Sequence, residues 1–569
     1  MTIVKGAGKK APTGQSPPKV RAATSPSKRA EPVSATLGPP QLRTSWPVSS
    51  HAASEDFDES AYLSAFPDVA RSIKEGQFPS ALRHYETFGM HESRLTDPRY
   101  EAAVRADTAG FPAGNVDKIF GCKDGQCLVL GWVNDDEQEP VGQLGKLMLR
   151  NALGLRASTT VFYRYIREDV TRYLKLPEHR RLAFWAIVVI ERPETMRVPA
   201  EVTLSVGAER RTFECQICPV DEERFRELAL DHLAMTQTVG HAPVETFRYL
   251  DSGLGSSLIA LSLKISRRIA LGAQTVQIGA APVRPKASII VCLFGKPELL
   301  TIQCALFSEC RGIENYEFIY VSNSPEMADL LIKNATIANR IYGMPITLIL
   351  MPGNAGFGVA YNTAANAARS ARLLIVNPDI FPMDPEWPLQ HSRIVNDLPP
   401  EQVALFGAPL YYDDGSLMHG GMYFEVDVEF SFRDNQATRC EMLRVEHYGK
   451  GAPPHTNPFL VSRPVPGVTG AFMSVEREWF ESLGGFSPEY MFTQFEDADL
   501  CLKSFSAGKP AWMHYLPFVH FEGKGSVYRP VHVSGRLVNR WHFTKLWGET
   551  VKKSLHGPTS QAFSTPAHR

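Results

Sequence analysis

The run Ser288-Ile-Ile-Val-Cys-Leu-Phe294 decides the fold. It is apolar without alternation, the pattern of a strand buried on both faces in a sheet covered by helices. Gly295 follows, then a helical pattern from Pro297 to Cys310, a second strand over Phe318–Ser322 and a third over Ile346–Met351. Strands alternating with helices predict an α/β domain with a Rossmann-like, mostly parallel sheet, whose ligands lie at the carboxyl ends of the strands. Those ends carry Phe294 and, after the second strand, Ser322-Asn323-Ser324.

Toward the C-terminus the third strand leads into Gly353-Asn354-Ala355-Gly356-Phe357-Gly358-Val359-Ala360-Tyr361-Asn362. Gly356 and Gly358 at a helix start let the backbone approach a ligand where free N–H groups favour phosphate; glycines at such places also serve packing alone. An alanine-rich helix over Ala360–Ala371 precedes the next strand, Leu373-Leu-Ile-Val-Asn377-Pro378-Asp379. Pro466-Gly-Val-Thr-Gly470-Ala-Phe-Met473 then reads as an apolar strand broken by glycines, and a helix through Trp479 and Phe480 ends at Gly484-Gly485. Phe495-Glu496-Asp497-Ala498-Asp499 sets three carboxylates at the start of a short helix that stops at Gly508. A carboxylate there either caps the helix or serves chemistry. A strand-like run, Ala511–Leu516, and Val519-His520-Phe521-Glu522-Gly523-Lys524-Gly525-Ser526 bring a histidine beside a glycine-rich turn.

In this order the motifs resemble those of the inverting, family 2 type glycosyltransferases of GT-A fold, the group that includes bacterial rhamnosyl- and galactofuranosyltransferases. The resemblance covers residues 286–550, about half of the chain. It implies a nucleotide-sugar donor at Phe294, Ser322, Asn323, Asn354, Gly356, Gly358, Asn362, Asn377 and Asp379. It implies a divalent metal, Mn²⁺ or Mg²⁺, on the donor's diphosphate, with Asp379 and His520 as protein ligands. Asp497 would be the general base for an acceptor hydroxyl, Glu496 would orient Asp497 or the acceptor, and Asp499 would support the helix. The implied acceptor is a glycan or lipid-linked glycan, in polysaccharide biosynthesis at a bacterial cell envelope.

The chain departs from the family pattern twice. Asn377 replaces the first acid of an Asp-x-Asp pair, which leaves Asp379 as the one carboxylate ligand; Mn²⁺ accepts mixed oxygen and imidazole ligation. Ser322-Asn323-Ser324 stands where the family often has an aspartate that reads the base or ribose. These departures support a rival reading, a catalytically decayed glycan-binding or scaffold protein. A nucleotidyltransferase is a second rival, but only Phe294-Gly295-Lys296 follows the first strand, without a glycine- and arginine-rich phosphate loop.

The 569 residues, 44% hydrophobic and 21% charged, suffice for two or three domains. Sixty Lys and Arg against 61 Asp and Glu leave a net charge of −1, so no global field draws the chain to nucleic acid. Nine cysteines include one CxxC, Cys215 and Cys218, with no second pair at zinc-site spacing, which reads as reduced thiols in a cytoplasmic protein. No window approaches the roughly 18 to 20 apolar residues of a spanning helix, and the N-terminus does not read as a signal peptide.

Residues 1–54, rich in Pro, Ser, Ala and Lys, read as a disordered basic tail. Residues 55–116 read as a small helical module through Tyr62, Leu63, Phe66, Val69 and Ile73, similar to one found beside bacterial glycosyltransferases; interaction or spacing is its expected role. Residues 117–282 read as a β-sandwich, with Trp132, Tyr163, Phe184 and Trp185 in its core. Residues 283–530 form the expected catalytic domain, in which 430–465 reads as a loop-rich insert with His447 and His455 as loop residues. Residues 531–569 read as an amphipathic helix and tail. Its Leu537, Trp541, Phe543, Leu546, Trp547 and Val551, beside Arg536, Arg540, Lys545, Lys552 and Lys553, either pack on the catalytic domain or meet the anionic inner face of the cytoplasmic membrane over 534–553.

Overall fold

The structure is a computed structural model. It describes residues 114–556 apart from 135–140, 143–144, 178–179, 207–208, 236–242, 434–435, 526–528 and 530, and before them residues 59–60, 63, 67–74 and 80–81. The tail 1–54 and most of the helical module, Tyr62 and Phe66 included, lie outside the described residues. Within the module Pro67–Lys74 is a helix with Val69 buried.

Residues 114–220 build two sheets. The six-stranded one runs Ile217–Val220, Gly114–Cys122, Gln126–Val133, Ala183–Val189, Phe162–Tyr165, Val141–Gly142; the four-stranded one runs Arg156–Thr159, Gly145–Arg150, Ala200–Val206, Glu209–Cys215. Val116, Ile119, Val129, Phe184, Leu147 and Val202 share one apolar cluster between them. Tyr163, Phe184 and Trp185 are buried as expected, while Trp132 is half-buried.

The β-rich reading of 117–282 fails beyond Val220. Glu222–Met235, Pro243–Tyr249 and Gly255–Leu271 are helices, and Gln274–Ile278 is a strand at the edge of the nine-stranded sheet, antiparallel to Ile346–Leu350. Phe225, Leu228 and Leu233 recur at helical spacing and join the cluster that holds Leu258, Ile265, Ala360 and Ala364. The same cluster holds Phe120, Leu128, Leu130 and Trp185 of the six-stranded sheet, so the stripe is buried between that sheet and the helices that carry Leu258 and Ala360.

The nine-stranded sheet has the order Gln274–Ile278, Ile346–Leu350, Glu317–Ser322, Ser288–Leu293, Arg372–Val376, Phe472–Glu476, Leu405–Gly407, Ala511–Met513, Arg463–Val465. Ile346–Leu350, Glu317–Ser322, Ser288–Leu293 and Arg372–Val376 are parallel, and Phe472–Glu476 runs against them. The expected mixed α/β architecture is therefore present. Ile289, Val291, Phe318 and Leu374 are buried on one face, Ile290, Ile319 and Ile375 on the other, as the unbroken apolar run requires.

The loop-rich reading of 430–465 holds for 448–462, which includes His455, and is corrected before it. Met422–Arg433 and Gln436–His447 pair over their whole length as an antiparallel hairpin, Met422 opposite His447. The long C-terminal helix, Val531–His556, buries Val538, Trp541, Phe543 and Val551 against the rest of the chain, so the stripe available to a membrane over 534–553 lies inside the protein; Leu546 remains exposed. Among the described residues no helix is long and apolar enough to cross a membrane.

Candidate active site

In the parallel part of the sheet the chain steps outward from Ser288–Leu293 in one direction and then, with Arg372–Val376, in the other. At such a switch point the loops that leave the two strands part and open a crevice, here over Phe294 and Asn377. Beside it lies a cavity of about 300 Å³ lined by Phe357, Asn377, Met422, Val445, His447, Thr469, Gly470, Ala471 and residues 493–498.

The neighbouring strand brings the acidic segment to this place. Val376 pairs with Phe472, so Ala471 and Gly470 fall next to Asn377, whose N–H donates to the Ala471 carbonyl at 2.8 Å. The Gly470 N–H donates to Asp497 Oδ2 at 2.8 Å, and the Ala498 N–H to Asp497 Oδ1 at 2.8 Å. A Cβ on Gly470 would stand 3.2 Å from the Phe357 ring and 3.4 Å from Asp497 Cβ, so a glycine keeps this approach close. Asp497 is half-buried on the cavity wall, in the first turn of Glu496–Ser506.

The segment before that helix is strained. Phe492, Gln494 and Phe495 have φ of 57°, 85° and 76°, a left-handed conformation that side chains disfavour. Glu496 is 3% exposed; its Oε1 accepts from the Thr493 hydroxyl at 3.3 Å and its Oε2 has no partner. Burial, and then the charge of Asp497, push its carboxyl up to about 8. Asp499 is fully enclosed, paired with Lys503 at 2.7 Å and bonded by Trp547 Nε1 at 2.9 Å, which suits the supporting part expected of it.

Asp379 and His520 meet through the pairing of Ile380–Pro382 with Phe518–His520, and His520 Nε2 stands 3.4 Å from Asp379 Oδ1. Both side chains are buried, and Asp379 Oδ1 and His520 Nδ1 lack hydrogen-bond partners. A Cβ on Gly525 would lie 2.8 Å from the Asp379 carboxylate, so the glycine turn closes directly on it. Among the described residues no group of three or more His, Cys, Asp or Glu is placed to hold a metal ion. An unpartnered carboxylate oxygen beside an imidazole fits two protein ligands of a hard or borderline cation whose other ligands come from a bound phosphate.

The other expected donor residues are mostly engaged with one another. Asn323 Oδ1 accepts the Ala355 N–H at 3.3 Å and its Nδ2 donates to the Gly356 carbonyl at 3.1 Å; Asn354 Oδ1 accepts the Gly356 N–H at 2.9 Å; the Ser322 hydroxyl donates to the Ser324 carbonyl at 3.2 Å. These groups build the turn. Gly356, with φ of 84°, and Gly358 serve packing: Cβ atoms there would meet the Phe492 backbone at 3.2 Å and Phe486 Cβ at 3.1 Å. Asn362 donates to the Phe486 carbonyl and accepts its N–H, at 2.7 and 3.0 Å, so its amide is structural. Phe294 is half-buried, with the Arg529 guanidinium 5.5 Å from its ring centroid.

His447, a loop residue by its sequence surroundings, ends a strand and lines the cavity. Its Nδ1 lies 3.2 Å from His419 Nδ1, and burial lowers its pKa while Asp497 pulls it back up. The alternation Phe424, Val426, Val428, Phe430, Phe432, with Glu425, Asp427 and Glu429 between, was the signal for the hairpin that delivers it.

No protein-family model matches the chain. An uncharacterized protein of Sinorhizobium fredii is 27% identical over 210 residues, 37% of this chain and 21% of that protein. An O-antigen biosynthesis protein of Myxococcus xanthus is 28% identical over 220 residues, 37% of this chain and 15% of that one. The chain thus spans about a fifth or less of these curated relatives. Among solved structures, GalNAc-T7 with UDP, GalNAc and Mn²⁺ is 11% identical with a TM-score of 0.33, covering 50% of this chain and 52% of that one. A mannosyltransferase from Pyrobaculum calidifontis in complex with GDP-Man and Mn²⁺ is 14% identical with a TM-score of 0.29, covering 60% and 88%.

Proposed function

We propose that this chain is an inverting glycosyltransferase of GT-A type that moves a hexosyl or deoxyhexosyl unit from a nucleotide sugar to a hydroxyl of a glycan or lipid-linked glycan. One observation carries the reading: the Asp497 carboxylate, held by two backbone N–H groups, faces a cavity of about 300 Å³ beside the switch-point residue Asn377. A carboxylate so held accepts a proton without moving. The relative that takes part in O-antigen biosynthesis supports the same class of chemistry.

In this reading the acceptor lies in the cavity and the donor over Phe294, Asn377 and Asp379. The acceptor oxygen forms a bond to the anomeric carbon as the bond to the diphosphate breaks on the opposite face; the leaving diphosphate keeps the electron pair, and Asp497 receives the hydroxyl proton. A single displacement inverts the centre. Mn²⁺ or Mg²⁺, held by Asp379 and His520, would supply charge stabilisation for the diphosphate. Glu496, its pKa raised by burial, is mainly protonated at neutral pH, shapes the wall beside Asp497 and adds no second negative charge there. The expected setting is the cytoplasmic side of a bacterial envelope, where polysaccharide precursors are built.

The test is turnover of UDP-, GDP- and dTDP-linked sugars with Mn²⁺ or EDTA, wild type against Asp497→Asn. Metal-dependent turnover of one donor, lost in Asp497→Asn while the donor still binds, is the expected result. Failure of every donor to bind favours the decayed-scaffold reading, whose support is that Asn323 and Asn354 are taken up within the turn.

A further inference from the structure

The cavity has two walls from distant parts of the chain, and a single helix grips both. One is residues 493–498, which follow the strained Phe492; another is the hairpin strand Gln436–His447, which contributes Val445 and His447. The C-terminal helix Val531–His556 lies against each.

On the first wall Asn539, 1% exposed, accepts the Met491 N–H through Oδ1 at 2.7 Å. The two hydrogens of its Nδ2 are shared among the carbonyls of Met491, Thr493 and Gln494 at 2.9, 3.0 and 3.1 Å. The helix passes so close that a Cβ on Gly535 would stand 2.9 Å from the Phe492 ring, and the Phe543 ring packs 5.2 Å from that of Phe495. On the second wall Thr544 Oγ1 accepts the Leu443 N–H at 3.0 Å, and Arg540 donates to the Leu443 carbonyl at 2.8 Å and to Asp427 Oδ2 at 2.6 Å.

Residues 491–495 lie in neither helix nor strand, so the carbonyls of Met491, Thr493 and Gln494 need partners from elsewhere in the chain. The Asn539 amide supplies both donors and an acceptor in one plane, as a peptide group does. We propose that helix 531–556 is a strap that fixes the width of the acceptor cavity, with Asn539 as the positioning residue that holds 491–495, left-handed at Phe492, Gln494 and Phe495, in its course and so places Asp497. The inference rests on the reading of Asp497 as the base. It assigns the helix an internal task in place of membrane contact.

The test uses the full chain and follows transfer kinetics together with hydrogen–deuterium exchange. Asn539→Ala should lower kcat by about 10- to 100-fold, the scale of a small misplacement of a reacting group, with the donor KM within about 2-fold. Exchange at 491–497 should quicken while strand 288–293 stays protected. Asn539→Asp, which keeps the acceptor for Met491 but turns an oxygen toward the carbonyls of Met491, Thr493 and Gln494, should lower kcat at least as far. If Asn539→Ala does not fold, Asn539→Asp and Trp547→Phe, which removes the N–H bonded to Asp499, carry the same comparison. Unchanged exchange at 491–497, or faster exchange with unchanged kcat, overturns the proposal. Should wild type turn over no nucleotide sugar, the reaction assigned above fails, and the exchange measurement alone then decides for or against the strap.

Discussion

Two acidic pairs face the switch point, and they are built in opposite ways. Asp497 stands half-exposed on a cavity wall with both carboxylate oxygens bonded to backbone N–H groups, whereas Asp379 is enclosed with His520, and its Oδ1, 3.4 Å from His520 Nε2, has no hydrogen-bond partner. The first is a side chain whose place is fixed and whose surroundings are left free for a visiting molecule. The second is a side chain whose own surroundings are incomplete. A group that exchanges a proton needs the former arrangement, and a group that shares a cation needs the latter.

That contrast is open to attack at four points. The largest effect belongs to Asp497→Asn, which keeps the shape and removes the proposed base: transfer should fall by about 10²- to 10⁴-fold at unchanged thermal stability and donor affinity, measured by initial rates and calorimetry. A loss of stability of the same order as the loss of rate would make Asp497 a helix cap and erase the contrast. Next, His520→Ala should raise the Mn²⁺ concentration for half-maximal turnover by at least about 10-fold, with Asp379→Asn at least as damaging, read from metal titrations. Gly525→Ala comes third, because its Cβ would press on the Asp379 carboxylate at 2.8 Å; a few-fold loss of metal affinity with an intact acceptor KM sharpens the separation of the two pairs.

The fourth effect falls on stability, not on transfer. The Glu496 carboxyl is raised from 4.5 to about 8 by burial and then by Asp497, so the folded state holds a proton that the unfolded chain releases. Its contribution is complete below pH about 4.5 and is lost as the pH rises through about 8. Glu496→Gln keeps a neutral group at every pH, so its melting temperature relative to wild type should climb between pH 5 and 9. A constant difference would mean that Glu496 is ionised in the fold.

The nine-stranded sheet was legible because its pattern is strong: Ser288–Leu293 and Arg372–Val376 are buried on both faces and punctuated by turns, and the three carboxylates of 496–499 do open the helix Glu496–Ser506, just short of Gly508. The site was legible in part. Asp379, Asp497 and His520 lie near the switch point, but the polar groups around Asn354 bond to each other, because a tight turn must satisfy its own backbone first. His447 and Asn539 were missed for different reasons. The hairpin carrying His447 announces itself by alternation, a signal overlooked, whereas the tie between Asn539 and Met491 spans 48 residues and no local pattern reveals it. The left-handed course of 492–495 was likewise invisible, since Phe and Gln do not choose it; their surroundings impose it. The helices of 222–271 show the same lesson from the other side, where a legible stripe was passed over in favour of the strands before it.

The strand Gln274–Ile278 bears on how this protein can be cut. It closes the Ile346–Leu350 edge along five paired residues, although it precedes the sequence boundary expected at 283. A chain shortened to begin there would present a bare row of N–H and C=O groups on a flat apolar strand, the template on which chains add to one another. Soluble expression of the catalytic half should therefore require a start ahead of residue 274, and aggregation of the shorter form would trace to that missing edge rather than to any defect in the site.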